Sequence, residues 1–476
     1  MHRARTFGRA AALMLGMVAL APLAGPAAGQ TLSDALVAAY ETNPDLVVGR
    51  AQLRQADEQV VQAQSELLPD VTGTVTGTAS NREAVFLDGS VSTVGLLRPS
   101  LSADATVTGT VTLYSFGRNP ANIASAVASV LAARASLVSV EQDVLLDAAT
   151  AFLDVRRDLQ FVSLARNNVR VNNELLRATQ DRFEVGEVTR TDVAQAEAAL
   201  ASARANLASN TGSLAESRAQ FLAEVGFEAV DLAPPPPAPD LPKALAEAET
   251  IAMREHPDLI SSRFSEEAAM QDVELARAGL NPVITLSTSV FYQASVVVDR
   301  GNESDTTGAD IQLQLQVPLY RGGELSSLIR EAMALLDQRK GETQRTGRLI
   351  RQQVQTAWSQ LSVARASIMA NSEEVRAEQV AFEGVVEEAR FGERTTLDVL
   401  EAEQSLLEAR SNLVSALRDA NVAAYSLLSA MGLLTVSHLG LGVDPYDPTE
   451  NYDFVTTNPP DPEGLRLERI LDRWGD

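Results

Sequence analysis

Four short stretches of this chain alternate apolar and polar residues with a period of two. Val71, Gly73, Val75 and Gly77 alternate with Thr72, Thr74, Thr76 and Thr78. Leu101, Ala103, Ala105, Val107, Gly109, Val111 and Leu113 alternate mostly with Ser and Thr. Ile284, Leu286 and Val290 interleave with Thr285, Ser287 and Ser289, and Ile311, Leu313, Leu315 and Val317 with Gln312, Gln314 and Gln316. Each run predicts a strand with one apolar face and one hydroxyl or amide face. The runs match the roughly 9–11 residues that a tilted strand needs to cross a bilayer. Strands of soluble sheets are usually shorter. The four pair as two hairpins, with polar, Gly-containing loops at residues 79–100 and 295–308.

The remainder reads as helix. Between residues 119 and 181 the apolar positions step by three and four, through Ile123, Val127, Val130, Leu137, Val144, Ala148, Val155, Leu159, Val162, Val169 and Leu176. This is a heptad-like stripe interrupted at Arg134 and Glu141. At about 1.5 Å per residue such a helix would be roughly 90 Å long. A counterpart is predicted from Glu324 to about Ala389, and each long helix is followed by a turn and a shorter helix, at residues 192–225 and 398–431. A globular enzyme has no use for helices of this length.

These elements occur twice. Asn43-Pro44-Asp45-Leu46 returns as His256-Pro257-Asp258-Leu259, and Pro69 as Pro282, at an offset of 213. Leu113-Tyr114, Gly186-Glu187, Asp192-Val193, Ala196-Glu197 and Asn206-Leu207 all return at an offset of 206. The seven-residue difference falls inside the hairpin region, where loop length is tolerated. A period this long excludes a solenoid and indicates two copies of one large unit. The first copy spans residues 30–226, with its hairpin at 69–115 and its turn near 183–191. The second spans 243–432, with its hairpin at 282–320 and its turn near 389–397. Residues 227–242 link them through the stiff run Ala233-Pro234-Pro235-Pro236-Pro237. The tail, 433–476, breaks the repeat and is expected to wrap the helices or to stay partly disordered.

Composition narrows the function. Arg3, Arg5 and Arg9 precede an apolar run from residue 10 to 24 and the small residues Ala27-Ala28-Gly29, so residues 1–29 read as a secretory signal peptide. Its removal takes the formal charge from −24 to −27, which argues against nucleic acid as a partner. No other long apolar run predicts a transmembrane helix. The chain has no cysteine, hence neither disulfides nor thiolate metal sites. No phosphate-cradling loop, metal-spaced His cluster or nucleophile elbow occurs, so no catalytic residue, metal or cofactor is assigned. His256 stands at the repeat position of Asn43, before proline, which suits a helix end.

Four strands cannot close a barrel, and open edges are not tolerated in lipid. Copies must share one barrel of eight, twelve or sixteen strands, and eight would leave no aqueous interior. The fold class is therefore a membrane β-barrel joined to a long α-helical coiled-coil barrel, with two internal repeats per chain. Tyr114-Ser115-Phe116-Gly117 and Tyr320-Arg321-Gly322-Gly323 would mark the exits from strand to helix at the membrane interface. A trimeric coiled-coil structural or adhesive envelope protein would explain the helices but not the strands.

The double repeat, the Asn43-Pro44 helix, the Leu-Tyr exits and two turn motifs together resemble the TolC-type outer-membrane efflux family over residues 30–455. The turn motifs run from Arg182 through Phe183, Gly186, Thr189 and Asp192, and from Phe391 through Gly392, Arg394, Thr395 and Asp398. The resemblance implies a homotrimer with one twelve-stranded barrel in outer-membrane lipid and a helical tunnel in the periplasm. It also implies docking to a periplasmic adaptor (membrane fusion) protein and an inner-membrane transporter, for efflux or type I secretion. Both turns carry Thr-x-x-Asp, a capping box by sequence (Thr189 with Asp192, Thr395 with Asp398). By the family match, Asp192 would pair with Arg394 to hold a periplasmic gate closed, and Asp398 and Glu401 would point into the lumen. A tyrosine of that network falls at Ala389 here, so its hydrogen bond is missing. Val185, Gly186, Phe391 and Gly392 are the candidate adaptor-docking positions.

Overall fold

A computed structural model describes residues 29–83, 97–237, 239–297 and 302–457. The signal peptide, the centres of both hairpin loops and the last part of the tail lie outside the described residues. The chain runs α1 (Leu32–Thr42), α2 (Pro44–Ser65), β1 (Asp70–Glu83), β2 (Leu97–Tyr114), α3 (Arg118–Glu184) and α4 (Arg190–Val225). The second repeat follows as α5 (Leu245–Glu255), α6 (Pro257–Ala278), β3 (Val283–Val297), β4 (Asn302–Gln316), α7 (Glu324–Arg390) and α8 (Thr396–Ala430). The short α9 (Val436–Leu439) and α10 (Glu450–Thr457) close the described chain.

The strands form one antiparallel sheet in the order β1-β2-β3-β4. Its register sorts the side chains as the alternation predicts. Val71 lies opposite Gly109, Val107 opposite Val290, and Leu286 opposite Leu313, all on one face. Thr74, Thr106, Ser287 and Gln312 fall on the other. The apolar face is bare, with Val75 83% and Ile311 81% exposed, as a lipid-facing wall requires. Phe291 departs from the pattern. It sits on the polar face, and its ring covers Gly308, where a β-carbon would come within 2.5 Å of it. The ring fills the space that glycine leaves and fixes the pairing there.

The strands are longer than the alternation suggests, 14 to 18 residues. Most of the segment expected as the second loop is strand, with Ser295 paired to Ser304 and Ala294 to Asp305. In the first hairpin Ser80 pairs with Ser100, and their hydroxyls lie 2.9 Å apart. Alternation reports only where one face is apolar; backbone pairing continues past that band into all-polar rows.

α3 and α7 are each 67 residues long, roughly 100 Å at about 1.5 Å per residue. Pro120 falls in the first turn of α3, where its missing N–H costs nothing. One 18-residue window of α3 reaches a mean hydropathy of 1.8, enough for a span by composition. That window belongs to a helix more than three times longer, packed against α1, α2, α4, α6 and α8. The predicted stripe of α3 is most buried from Val130 to Val162 and thins towards the turn.

The shorter helices stack end to end. Asn43 Nδ2 donates to Glu224 O at 3.2 Å and Thr42 Oγ1 to Val225 O at 3.4 Å, so the start of α2 sits on the end of α4. Helices of 36 and 22 residues thereby line the same length that α3 covers alone. The equivalent joint sets α6 on α8, where Gly432 lies against the backbone of Glu255 and His256. Each joint places a negative helix C-terminus against a positive N-terminus. Asn43 and His256 serve as the end of one helix and the start of the next, accepting from Asp45 N at 2.9 Å and from Asp258 N at 3.2 Å. This confirms the helix-end role of His256.

The main core surrounds these joints. Phe152, Leu145, Phe221, Leu428, Met431 and Leu434 are fully buried there, beneath α1, α5 and α9. Phe221 meets Phe152 and Phe227 with ring centroids 6.4 and 5.4 Å away. The linker is pinned as it enters its proline run. Gln30 N donates to Asp231 O, Ala233 N to Gln30 O, and an Arg156 guanidinium nitrogen to Leu232 O. The described tail wraps the helices. Val436 N donates to Glu141, Tyr446 N to the Tyr40 hydroxyl, and Asn451 Nδ2 to the buried carboxylate of Asp57. Arg134 stacks on Tyr452, and Arg50 lies between Tyr40 and Tyr446.

Gly432 has φ +79°, and a β-carbon there would lie 2.6 Å from His256 Cα. Gly432→Ala should destabilise the joint by about 1–3 kcal/mol, read as a lower Tm by circular dichroism in detergent. Burial holds the His256 imidazole below its usual pKa of 6.5, and its Nδ1 must stay unprotonated to accept from Asp258. Only the unfolded chain binds that proton, so this contribution is present above pH 6.5 and is lost as pH falls below it. His256→Asn, which copies Asn43, should therefore gain in Tm relative to wild type as the pH is lowered from neutrality. A pH-independent difference would refute this account.

Candidate functional site at the hairpin turns

The two turns that join the long helices to α4 and α8 have the same construction. At the first, Gly186 adopts φ +82° and donates to Phe183 O, and Glu187 N donates to Arg182 O at 2.9 Å. At the second, Gly392 adopts φ +78° and donates to Ala389 O, and Glu393 N donates to Glu388 O at 3.0 Å. The left-handed residue lets these amides close on the last helical carbonyls. Val185 and Phe391 stand beside the glycines, 72% and 81% exposed.

Each following helix starts with a complete capping box. Asp192 Oδ2 accepts from Thr189 N at 2.7 Å and from its hydroxyl at 2.8 Å, and Asp192 N donates back to Thr189 Oγ1 at 3.3 Å. Asp398 and Thr395 repeat this at 2.8, 2.8 and 3.2 Å. The bonds from Thr189 and Thr395, backbone first, hold both carboxyls below their usual pKa. Both acids are thus fixed anions at the positive ends of their helices.

Within this single chain the structure does not bring Asp192 and Arg394 together. Among the described residues Arg394 makes its ion pair with Glu388, Nε to Oε2 at 2.8 Å, inside its own hairpin. Arg182 pairs in the same way with Glu187 at 3.2 Å. Glu401 is exposed and makes no hydrogen bond or ion pair among the described residues. Glu388 is not marked by the turn motif, because it lies within the long helix and meets Arg394 only after the chain reverses. Two polar links between the repeats also escape the sequence pattern: Arg418 to Asp154 at 2.7 Å, and Asn168 to Glu403 at 3.3 Å. Among the described residues no group of His, Asp or Glu could hold a metal ion.

The family model for outer membrane efflux proteins matches residues 35–226 and 250–433, one segment per repeat. The chain belongs to the outer membrane efflux protein family. As a member, it is an outer-membrane transport channel that extends into the periplasm, and it is not an enzyme. It is 36% identical over 448 residues to the outer membrane efflux protein BepC of Brucella suis, covering 94% of each chain. It is 28% identical to the alkaline protease secretion protein AprF of Pseudomonas aeruginosa, over 83% of this chain and 80% of that one. Among solved structures, the Campylobacter jejuni CmeC outer membrane channel superposes with a TM-score of 0.72 at 17% identity, covering 88% of both chains. CusC superposes at 0.71, also at 17% identity, over 86% of this chain and 95% of that one. Family membership sets aside the adhesive coiled-coil alternative.

Removing a capping hydroxyl should loosen one tip. Thr395→Ala should speed amide exchange at residues 396–399, read by hydrogen exchange with mass spectrometry, while residues 190–193 stay unchanged. Exchange that rises equally at both turns would contradict independent caps.

Proposed function

We propose that three copies of this chain share one twelve-stranded barrel and one helical tunnel, forming the exit duct of a tripartite efflux pump or type I secretion system. The sheet carries this reading. Its outer strands β1 and β4, 14 and 15 residues long, have no partner strand among the described residues on their outer edges, yet the sheet is apolar on one face. Pairing β4 of one copy with β1 of the next satisfies both edges, and twelve strands leave room for water. α7 supports it from the periplasmic side, because Leu349, Val363, Met369 and Val380 are exposed along a helix that packs on fewer neighbours than α3. The secretion role of AprF and the efflux name of BepC make both kinds of cargo export candidates.

In this reading the turns face an inner-membrane transporter and its periplasmic adaptor. Val185 and Phe391, presented by Gly186 and Gly392, are apolar contact points for the adaptor. Asp192, Arg394, Asp398 and Glu401 form the gate, with Arg394 exchanging Glu388 for Asp192 of an adjoining hairpin when the tips converge. Three-fold repetition would make Asp398 and Glu401 rings of carboxylates that favour cations.

Native mass spectrometry of the purified protein in detergent should give a trimer, and a stable monomer would refute the shared barrel. Arg394→Ala should raise single-channel conductance in planar bilayers. Unchanged conductance in a trimer that melts normally would remove Arg394 from the gate.

A further inference from the structure

The seam where α3 of the first repeat meets α8 of the second is polar. Arg418 Nε donates to Asp154 Oδ1 at 2.7 Å, and an Arg157 guanidinium nitrogen reaches the same oxygen at 2.9 Å. Closer to the turns, Asn168 Nδ2 donates to Glu403 Oε1 at 3.3 Å. Asn168, Asn172 and Glu403 are all buried, Glu403 to 7% exposure. The Asn172 amide is committed to Asn168 O at 2.9 Å. Two cations face this point without pairing with Glu403. Arg170 of α3 is paired with Glu174 at 3.0 Å, and Arg410 of α8 donates to Gln379 of α7 at 2.5 Å. Among the described residues Glu403 is therefore a carboxylate buried between the repeats, held by one long amide hydrogen bond and no ion pair. The seam between α3 and α4 within the first repeat is different, being lined by Ala196, Leu200 and Ala203. Glu197, the repeat equivalent of Glu403, is exposed.

We propose that Glu403 is a proton-operated latch on the α3–α8 seam, shut when its carboxyl is protonated and released when it ionises. This rests on the duct reading above, since the parting of that seam is what would widen the tunnel. A carboxylate in the shut seam forgoes hydration for a single weak bond, and water entering a parted seam restores that hydration. Burial raises the Glu403 pKa in the shut seam above its ordinary value of 4.5, with Asn168, Arg410 and Arg170 offsetting only part of the rise. The shut form thus binds the proton more tightly. Closure gains as pH falls through the raised value, and the gain is complete below 4.5. A residue that served only to fix helix register would give no such dependence.

The test is single-channel conductance of the mature wild-type protein in planar bilayers, from about pH 8 to about pH 4. Wild type should pass to a lower-conductance level on acidification. Glu403→Gln, nearly isosteric and always neutral, should hold the low level throughout and lose the pH response. Asn168→Leu removes the bond that favours the ionised form, so its closing midpoint should move to higher pH. A Glu403→Gln channel that titrates like wild type would place the proton sensor elsewhere and overturn the latch. So would a wild type without pH response, or an Asn168→Leu midpoint that stays or falls. The absence of any conductance step in wild type would instead overturn the duct reading, and the latch with it.

Discussion

A strand edge in hydrocarbon cannot be left unpaired, and much of this molecule follows from that constraint. Each unsatisfied N–H or C=O in lipid costs several kcal/mol. Four strands carry a complete row of such groups on each outer edge, so the chain as a single copy is incomplete as a membrane structure. The proposed closure between copies would be the physical remedy, and it would fix the geometry below the membrane. In the proposed ring each strand pair would feed helices at the same spacing, which two matched repeats per chain supply. The equal lengths of α3 and α7, and of α2 and α6, are the signature of that matching.

The stacked joints solve a related problem of connectivity. Each repeat begins at mid-height, climbs through α2 or α6 to the strands, descends the full length in α3 or α7, and returns only to mid-height in α4 or α8. The start of one helix must then meet the end of another so that the wall has no gap. Asn43 and His256 make that meeting chemically sound, each accepting from the second residue of the new helix while ending the old one. Gly226 and Gly432 turn the chain away in left-handed conformations close to the incoming segment. The core gathers around this level because here the tube is more than one helix thick.

Much of this architecture was legible in the sequence because it depends on periodicity. Period-two alternation located all four strands, the three-four stripe located the first long helix, and the repeat placed its counterpart and matched their turns at an offset of 206. What escaped depends on chain reversal or on neighbours distant in sequence. The strand ends were missed because pairing continues after the apolar face stops, as at Ser295 and Ser304. The capping boxes were legible, being local. The Arg394–Glu388 pair was not, because it crosses a turn and competes with the partner that family resemblance supplies. The burial of Glu403 is invisible locally, since the same Ala-Glu pair at residues 196 and 197 leaves its glutamate exposed.

That contrast bears on how a tube of near-equivalent helices can move. The positions that match Asn168 and Asn172 in the second repeat are Glu374, exposed in this chain, and Glu378, half-buried, and the match for Glu403 is Glu197. In the proposed trimer, α7 of one copy would lie beside α4 of the next, as α3 lies beside α8 here. Three seams would then join two amides to one carboxylate, while the other three would gather carboxylates alone. Like charges at a seam oppose closure, whereas an amide facing a carboxylate permits it. A ring with two kinds of seam has a defined place to part first, which six identical seams would lack. On this reasoning the pseudo-symmetry builds the wall, and the substitution of Asn by Glu across the repeat sets the order in which it opens.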